Sequence, residues 1–150
     1  MTAPEDGELG PRAAAESPVE YIRQPDSVPA TRVHSLHLLD HDSETLLFLF
    51  DFLSNAGFKV SASSTVVDAF DYIEREHPDL VITNMEMPGL TSVELLLRLR
   101  ELAPAARLIM TSERLDWILY EDLLRSGGAF VTKPIKTMSL LGAVERVLGA

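Results

Sequence analysis

Seven polar residues stand at the ends of short apolar runs in this sequence. Asp40, His41 and Asp42 follow VHSLHLL, Asn84 follows LVIT, Thr111 and Ser112 follow RLIM, and Lys133 follows AFVT. Together they supply carboxylates, an imidazole, an amide, two hydroxyls and an ammonium. Carboxylates can hold a hard cation or act as oxygen nucleophiles, and an ammonium can neutralise an anion. Asn84 can do neither as a carboxylate would: its amide oxygen is neutral and its nitrogen lone pair is delocalised. What these groups can do together depends on the elements that carry them.

From Arg32 onward, short apolar runs alternate with amphipathic stretches. Val33 to Leu39 reads as a strand, and the helix after it begins near Ser43, its expected N-cap, with Leu46, Leu49, Phe50 and Leu53 inward. Asn55-Ala56-Gly57 ends that helix with glycine in the usual stop position. Lys59 to Ala62 is a second strand, and Ser64 to Glu76 a helix with Val67, Phe70 and Ile73 inward. Leu80 to Thr83 is a third strand, closed by Met87-Pro88-Gly89. Thr91 to Leu102 is a helix packed through Val93, Leu96, Leu97 and Leu99. Arg107 to Met110 is a strand, Asp116 to Ser126 a helix stopped by Gly127-Gly128, Ala129 to Thr132 a strand, and Lys136 to Leu148 a last helix. Five strands alternating with five helices imply an α/β fold, a doubly wound parallel sheet covered on both faces. Ligands of such sheets bind outside the carboxyl ends of the strands, which is where the seven polar residues fall.

The segments LHLLDHDSETLLFLFDFLSNAGF, PDLVITNMEMPGL, LIMTSE and GGAFVTKPI, in that order, resemble the signature segments of the response-regulator receiver (CheY-like) domain, over about 115 residues. The resemblance implies a flavodoxin-like (βα)5 fold with strand order 2-1-3-4-5. It also implies an acidic pair after the first strand holding Mg²⁺ and an aspartate after the third accepting a phosphoryl group. A Thr or Ser after the fourth strand and a Lys before proline after the fifth would contact that phosphate, and an aromatic in the fifth strand would report the switch. Asp40, Thr111, Lys133 with Pro134, and Phe130 match.

Two positions depart from the pattern. Asn84 stands where the acceptor aspartate is expected, and His41 where the second metal-binding acid is expected, with Asp42 next to it. A register one residue later, pairing His41 with Asp42, is the alternative; neither register restores the aspartate. Mg²⁺ prefers anionic oxygens, so losing two of three carboxylates predicts weak or absent binding and no cofactor. Lys133, lacking an anion at position 84, is expected to pair with Asp40 or to reach Glu86 or Glu113. Three consecutive residues cannot converge from one strand end, so His41 reads as a solvated or hydrogen-bonded histidine rather than a transition-metal ligand. His34 and His37 read as structural.

The 150 residues carry 23 acidic and 13 basic side chains, a net charge of −10, which disfavours nucleic-acid and anionic-membrane partners. The chain has no cysteine, hence no disulfide or thiolate chemistry. No leader and no apolar run of membrane-spanning length is visible, so a cytoplasmic location is expected. Residues 1–30 hold five prolines and six acidic residues and read as a disordered acidic tail, a solvated extension in preference to a partner-binding arm through Val19, Tyr21 and Ile22; residues 31–150 form the domain.

On the fourth helix Leu115, Ile118, Leu119 and Leu123 are expected inward. Trp117, Tyr120 and Leu124 form a second stripe: either a partner surface at the fourth helix, fifth strand and fifth helix, where by resemblance receiver domains dimerise or meet partners, or side chains partly buried against neighbouring loops. Phe48 is a further outward candidate. The reading is a stand-alone, non-enzymatic pseudo-receiver. It would act in two-component or phosphorelay signalling through contacts with a kinase, regulator or scaffold, since no effector region follows Leu148. The alternatives are a receiver phosphorylated elsewhere, as at Asp40 or Asp42, and a flavodoxin-like small-molecule binder or enzyme.

Overall fold

The computed structural model describes residues 32–149. The acidic segment 1–30 and the arm residues Val19, Tyr21 and Ile22 lie outside the described residues. In chain order the elements are β1 (Ser35–Leu39), α1 (Ser43–Asn55), β2 (Lys59–Ser63), α2 (Val66–Glu76), β3 (Leu80–Asn84), α3 (Ser92–Leu102), β4 (Arg107–Ser112), α4 (Trp117–Arg125), β5 (Ala129–Thr132) and α5 (Thr137–Leu148). The strands form one parallel sheet in the order 2-1-3-4-5, as the resemblance implied.

Alternation along the strands sends side chains to two separate cores. Leu36, Leu38, Leu80, Ile82 and Ile109 meet Leu46, Leu49 and Leu53 of α1 and Leu140, Val144 and Val147 of α5. On the other face Leu39, Val81, Leu108 and Met110 meet Ile73 of α2, Leu95, Leu96 and Leu99 of α3, and Leu119 and Leu123 of α4. All five residues of the central strand β3 are buried, so Asn84 rises from the most enclosed element among the described residues.

Several expectations for the helices need correction. The N-cap of α1 is Asp42 rather than Ser43: its carboxylate accepts from the backbone N–H of Glu44. A carboxylate at this position also meets the positive end of the helix dipole. Phe50, Val67, Val93, Leu97 and Ile118, expected inward, are all exposed, Ile118 to 79% and Val67 to 74%. Leu115, also expected inward, is 39% exposed. In α3 the run VELLLRL puts apolar side chains at nearly every helical angle, so periodicity alone did not single out the buried stripe Leu95, Leu96 and Leu99.

Gly127 has φ +85 and ends the turn after α4. At Gly128 the need is closeness rather than handedness: a Cβ would strike the Leu108 carbonyl oxygen, so the chain entering β5 lies against β4 only because no side chain intervenes.

His37 is structural, as expected, and its setting is specific. It is 1% exposed on β1, with Nδ1 2.7 Å from Ser61 Oγ, Nε2 2.9 Å from Ser63 Oγ, and its ring stacked on Tyr72 at 4.4 Å. The Ser61 hydroxyl donates its hydrogen to the Leu36 carbonyl, so it accepts from Nδ1–H, and Nε2 accepts from Ser63. Burial pushes this imidazole down to a pKa of about 4.

Candidate functional site

Loops at the carboxyl ends of the strands are fixed by extensions of the sheet. Asp40 N–H donates to the Ser63 carbonyl, Met85 N–H to that of Thr111, and Lys133 N–H to that of Ser112. These bonds carry the sheet beyond its strands and place the side chains that follow. The Lys133–Pro134 peptide is cis.

Asp40, His41, Asp42, Asn84 and Lys133 converge on one cleft of about 360 Å³, together with Glu86, Glu113 and Arg114. Thr111 lies beneath it, 2% exposed, its hydroxyl 3.5 Å from the Thr83 carbonyl. Phe130 sits half-buried in β5 with its ring edge-on to Tyr120.

The charges are arranged in two separate sets. Lys133 Nζ donates to Asp40 Oδ2 at 2.9 Å, and Asp40 Oδ1 accepts the backbone N–H of Asp42 at 2.9 Å. Of the three partners expected for Lys133, Asp40 is the one it meets. Glu86 instead accepts from the buried Ser112 hydroxyl at 2.8 Å and lies 3.5 Å from Arg114. Arg114 was not singled out in the sequence; a lone arginine in a loop gave no signal.

Asn84 directs its amide nitrogen to the Glu86 carbonyl oxygen at 2.6 Å. A carbonyl can only accept, so the contact requires a donor, which an amide has and a carboxylate lacks. Asp42 spends both oxygens on α1: Oδ1 accepts Glu44 N–H and Oδ2 the Thr45 hydroxyl. The Thr45 hydroxyl, then the Glu44 N–H, hold its carboxyl below the usual range. His41 is exposed.

This donor set is a poor fit to Mg²⁺, which requires several hard oxygens at close to octahedral directions. Asp40 is committed to an ammonium and a backbone amide, Asp42 to a helix start, and Asn84 presents hydrogens rather than lone pairs to its neighbour. Among the described residues no three His, Cys, Asp or Glu side chains are grouped so that they could hold a metal ion. Nor is any described helix long and apolar enough to cross a membrane.

The model of the family described as response regulator receiver domain matches residues 36–145. The chain is 31% identical over 114 residues to the transcriptional activator protein ExaE of Pseudomonas putida, over 74% of this chain and 53% of that protein. It thus spans about half the length of that relative. It is 25% identical over 117 residues to the chemotaxis protein CheY of Bacillus subtilis, over 77% of this chain and 98% of CheY. Among solved structures, a CheY-like receiver domain protein of Methanospirillum hungatei superposes with a TM-score of 0.71 at 23% identity, covering 79% of this chain and 95% of that one. The site therefore sits in a recognised sheet: the chain belongs to the response regulator receiver domain family of two-component signalling.

Proposed function

We propose that this protein is a pseudo-receiver: a signalling module that works through protein contacts without aspartyl phosphorylation. The observation that carries the reading is the amide of Asn84 donating to the Glu86 carbonyl at 2.6 Å. Acyl-phosphate formation needs an anionic oxygen nucleophile at that point, and here a neutral group with its nitrogen turned inward occupies it. The Lys133–Asp40 pair supports the same reading, because the lysine's charge is already neutralised within the site. With Mg²⁺ held weakly or not at all, the site works as a fixed electrostatic brace joining β1 and β5.

Output then comes from surfaces. Residues 31–150 form the module, residues 1–30 a tail, and the protein acts in the cytoplasm, without catalysis of its own, on a kinase, another regulator, a scaffold or a second copy of itself. Trp117, Tyr120 and Leu124 are the proposed contact residues. Trp117 is 66% and Leu124 46% exposed on α4, and the Trp117 ring stands edge-on to Tyr120 at 5.7 Å.

The test is intact mass after incubation with acetyl phosphate and Mg²⁺. No mass change is expected. A gain of one phosphate, whether at Asp40, Asp42 or elsewhere, would overturn the pseudo-receiver reading and leave an ordinary relay component.

A further inference from the structure

We propose that Glu86 is the positioning residue of the α4 contact surface: its carboxylate latches the loop between β4 and α4, and through that loop the first turn of α4, which carries Trp117. Glu86 is itself held on both sides. Its neighbours Met85 and Met87 are each 4% exposed, its carbonyl oxygen accepts from the Asn84 amide at 2.6 Å, and the Met85 N–H donates to the Thr111 carbonyl at 2.7 Å.

From this anchored backbone the carboxylate meets the Ser112 hydroxyl, which lies 2.8 Å from Oε2 and 3.1 Å from Oε1. Ser112 is fully buried, so its hydrogen has to find an acceptor within the protein, and Glu86 provides it. The same hydroxyl oxygen accepts the backbone N–H of Arg114 at 3.0 Å. Directing the hydrogen to Glu86 orients the lone pairs of Ser112 and thereby sets where the Arg114 N–H must sit.

Residues 113–115 have few other ties. Among the described residues, their hydrogen bonds and ion pairs are the Arg114 N–H to Ser112 and the Arg114 guanidinium 3.5 Å from Glu86, and both lead to Glu86. The guanidinium contact is exposed and contributes little by itself, with Arg114 80% and Glu86 43% open to solvent. The buried hydroxyl is what makes the loop depend on the carboxylate.

The loop delivers α4. Asp116, two residues beyond Arg114, caps the helix by accepting the N–H groups of Ile118 and Leu119, and Trp117 is the first helical residue, its ring edge-on to Tyr120 at 5.7 Å. Met85, Arg114, Leu115 and Trp117 line one cleft of about 370 Å³, so the chain beside Glu86 and the head of α4 face each other. An amide at position 86 would keep an acceptor for Ser112, whereas alanine would remove it.

This role rests on the reading that α4 is the contact surface, and its test uses neither a phosphodonor nor a partner. Failure here leaves the intact-mass result and the effect of Trp117→Ala on binding as they are, and failure of that reading leaves the exchange rates below unchanged.

The experiment measures amide hydrogen exchange by NMR on the full chain, with near-ultraviolet circular dichroism of Trp117, the one tryptophan of the sequence. In Glu86→Ala and in Ser112→Ala the Arg114 and Ile118 amides should exchange at least about tenfold faster than in the parent. The tryptophan band should weaken in both. Glu86→Gln, which restores the acceptor, and Glu74→Gln, the same charge change on α2, should stay within about threefold of the parent. Val81 and Ile82 in β3 report global opening and should change by less than about twofold in every variant. The proposal is overturned if Glu86→Ala leaves the Arg114 amide or the tryptophan band as in the parent, or if Glu86→Gln is as damaging as Glu86→Ala. It is equally overturned if Val81 and Ile82 lose as much protection as Arg114, which would make Glu86 a contributor to overall stability and not a latch.

Discussion

Lys133 Nζ lies 2.9 Å from Asp40 Oδ2, with the two side chains 18% and 4% exposed. In the sheet order 2-1-3-4-5, their strands are separated by β3 and β4, so the pair ties the two outer supports of the cleft to each other. The carboxylate is fully used, because its second oxygen accepts the Asp42 backbone N–H. A charge buried in this way is tolerated only while its partner is present.

Removing one member should therefore cost more than removing both. Lys133→Met leaves the Asp40 side chain without its counter-charge in an enclosed site and is expected to lower stability by about 3 kcal/mol. Asp40→Asn strands the ammonium, which is less enclosed, and should cost less. The double variant should fall short of the sum by roughly 1–3 kcal/mol. Urea unfolding of the four proteins closes the cycle. Strict additivity would mean that the pair contributes no coupling.

Asn84→Asp tests the other half of the site. The carboxylate would face the Glu86 carbonyl across 2.6 Å with no hydrogen to place between them. The variant should lose about 1–2 kcal/mol in the absence of divalent cations. Because position 41 is still an imidazole, Mg²⁺ should recover little of that loss. In Asn84→Asp with His41→Asp, Mg²⁺ affinity should rise at least about tenfold over the single variant. Calorimetric titration with Mg²⁺ decides it; equal affinities would show that His41 is no obstacle.

The sheet and the polar residues at its strand ends were legible because they rest on features that sequence states directly. Continuous apolar runs such as Leu80–Ile82 mark buried strands, and Asp40, Asn84, Thr111 and Lys133 each end one. Charge accounting narrowed the partner of Lys133 to Asp40, Glu86 or Glu113, since a lysine without an anion at position 84 must look elsewhere, and the fold selects Asp40. What escaped was rotational. Leu97 and Leu99 are identical in type but lie 200° apart around α3, and the packing of α3 against the sheet and its neighbouring helices decides which is buried. The same holds for Ile118 beside Leu119. Arg114 escaped because its partner, Glu86, comes from another strand's loop.

His37 makes stability depend on pH. Its pKa is about 4 when folded, against 6.5 unfolded, so between those values the unfolded chain binds more protons. This contribution to stability is fully present above pH 6.5 and is lost as pH falls toward 4. Lowering the pH from 7 to 5 should remove roughly 2 kcal/mol through this residue alone. His37→Phe removes the titration but also takes the ring partner from Ser63 and leaves Ser61 only the Leu36 carbonyl, so it should be less stable at pH 7. The informative quantity is the slope. Denaturant midpoints measured at several pH values should fall less steeply with acid for the variant, and parallel slopes would mean that another group titrates in this range.

Trp117 and Tyr120 separate a contact residue from a packing residue on one helix. Trp117 is 66% exposed, and its only ring neighbour among the described residues is Tyr120. Tyr120 touches both Trp117 and Phe130, the latter at 6.4 Å across to β5. Truncating Trp117 to alanine removes little buried area and should change stability by less than about 0.5 kcal/mol. Truncating Tyr120 removes the link between α4 and β5 and should cost about 1–2 kcal/mol. If α4 is the contact surface, Trp117→Ala should nevertheless lose partner capture, or dissociate a dimer seen by sedimentation, as fully as Tyr120→Ala does. Loss of binding that tracks stability across the two variants would instead assign both rings to the fold. A Trp117→Ala protein that is stable, unchanged in mass in solution and unimpaired in partner capture would leave α4 without a role in binding.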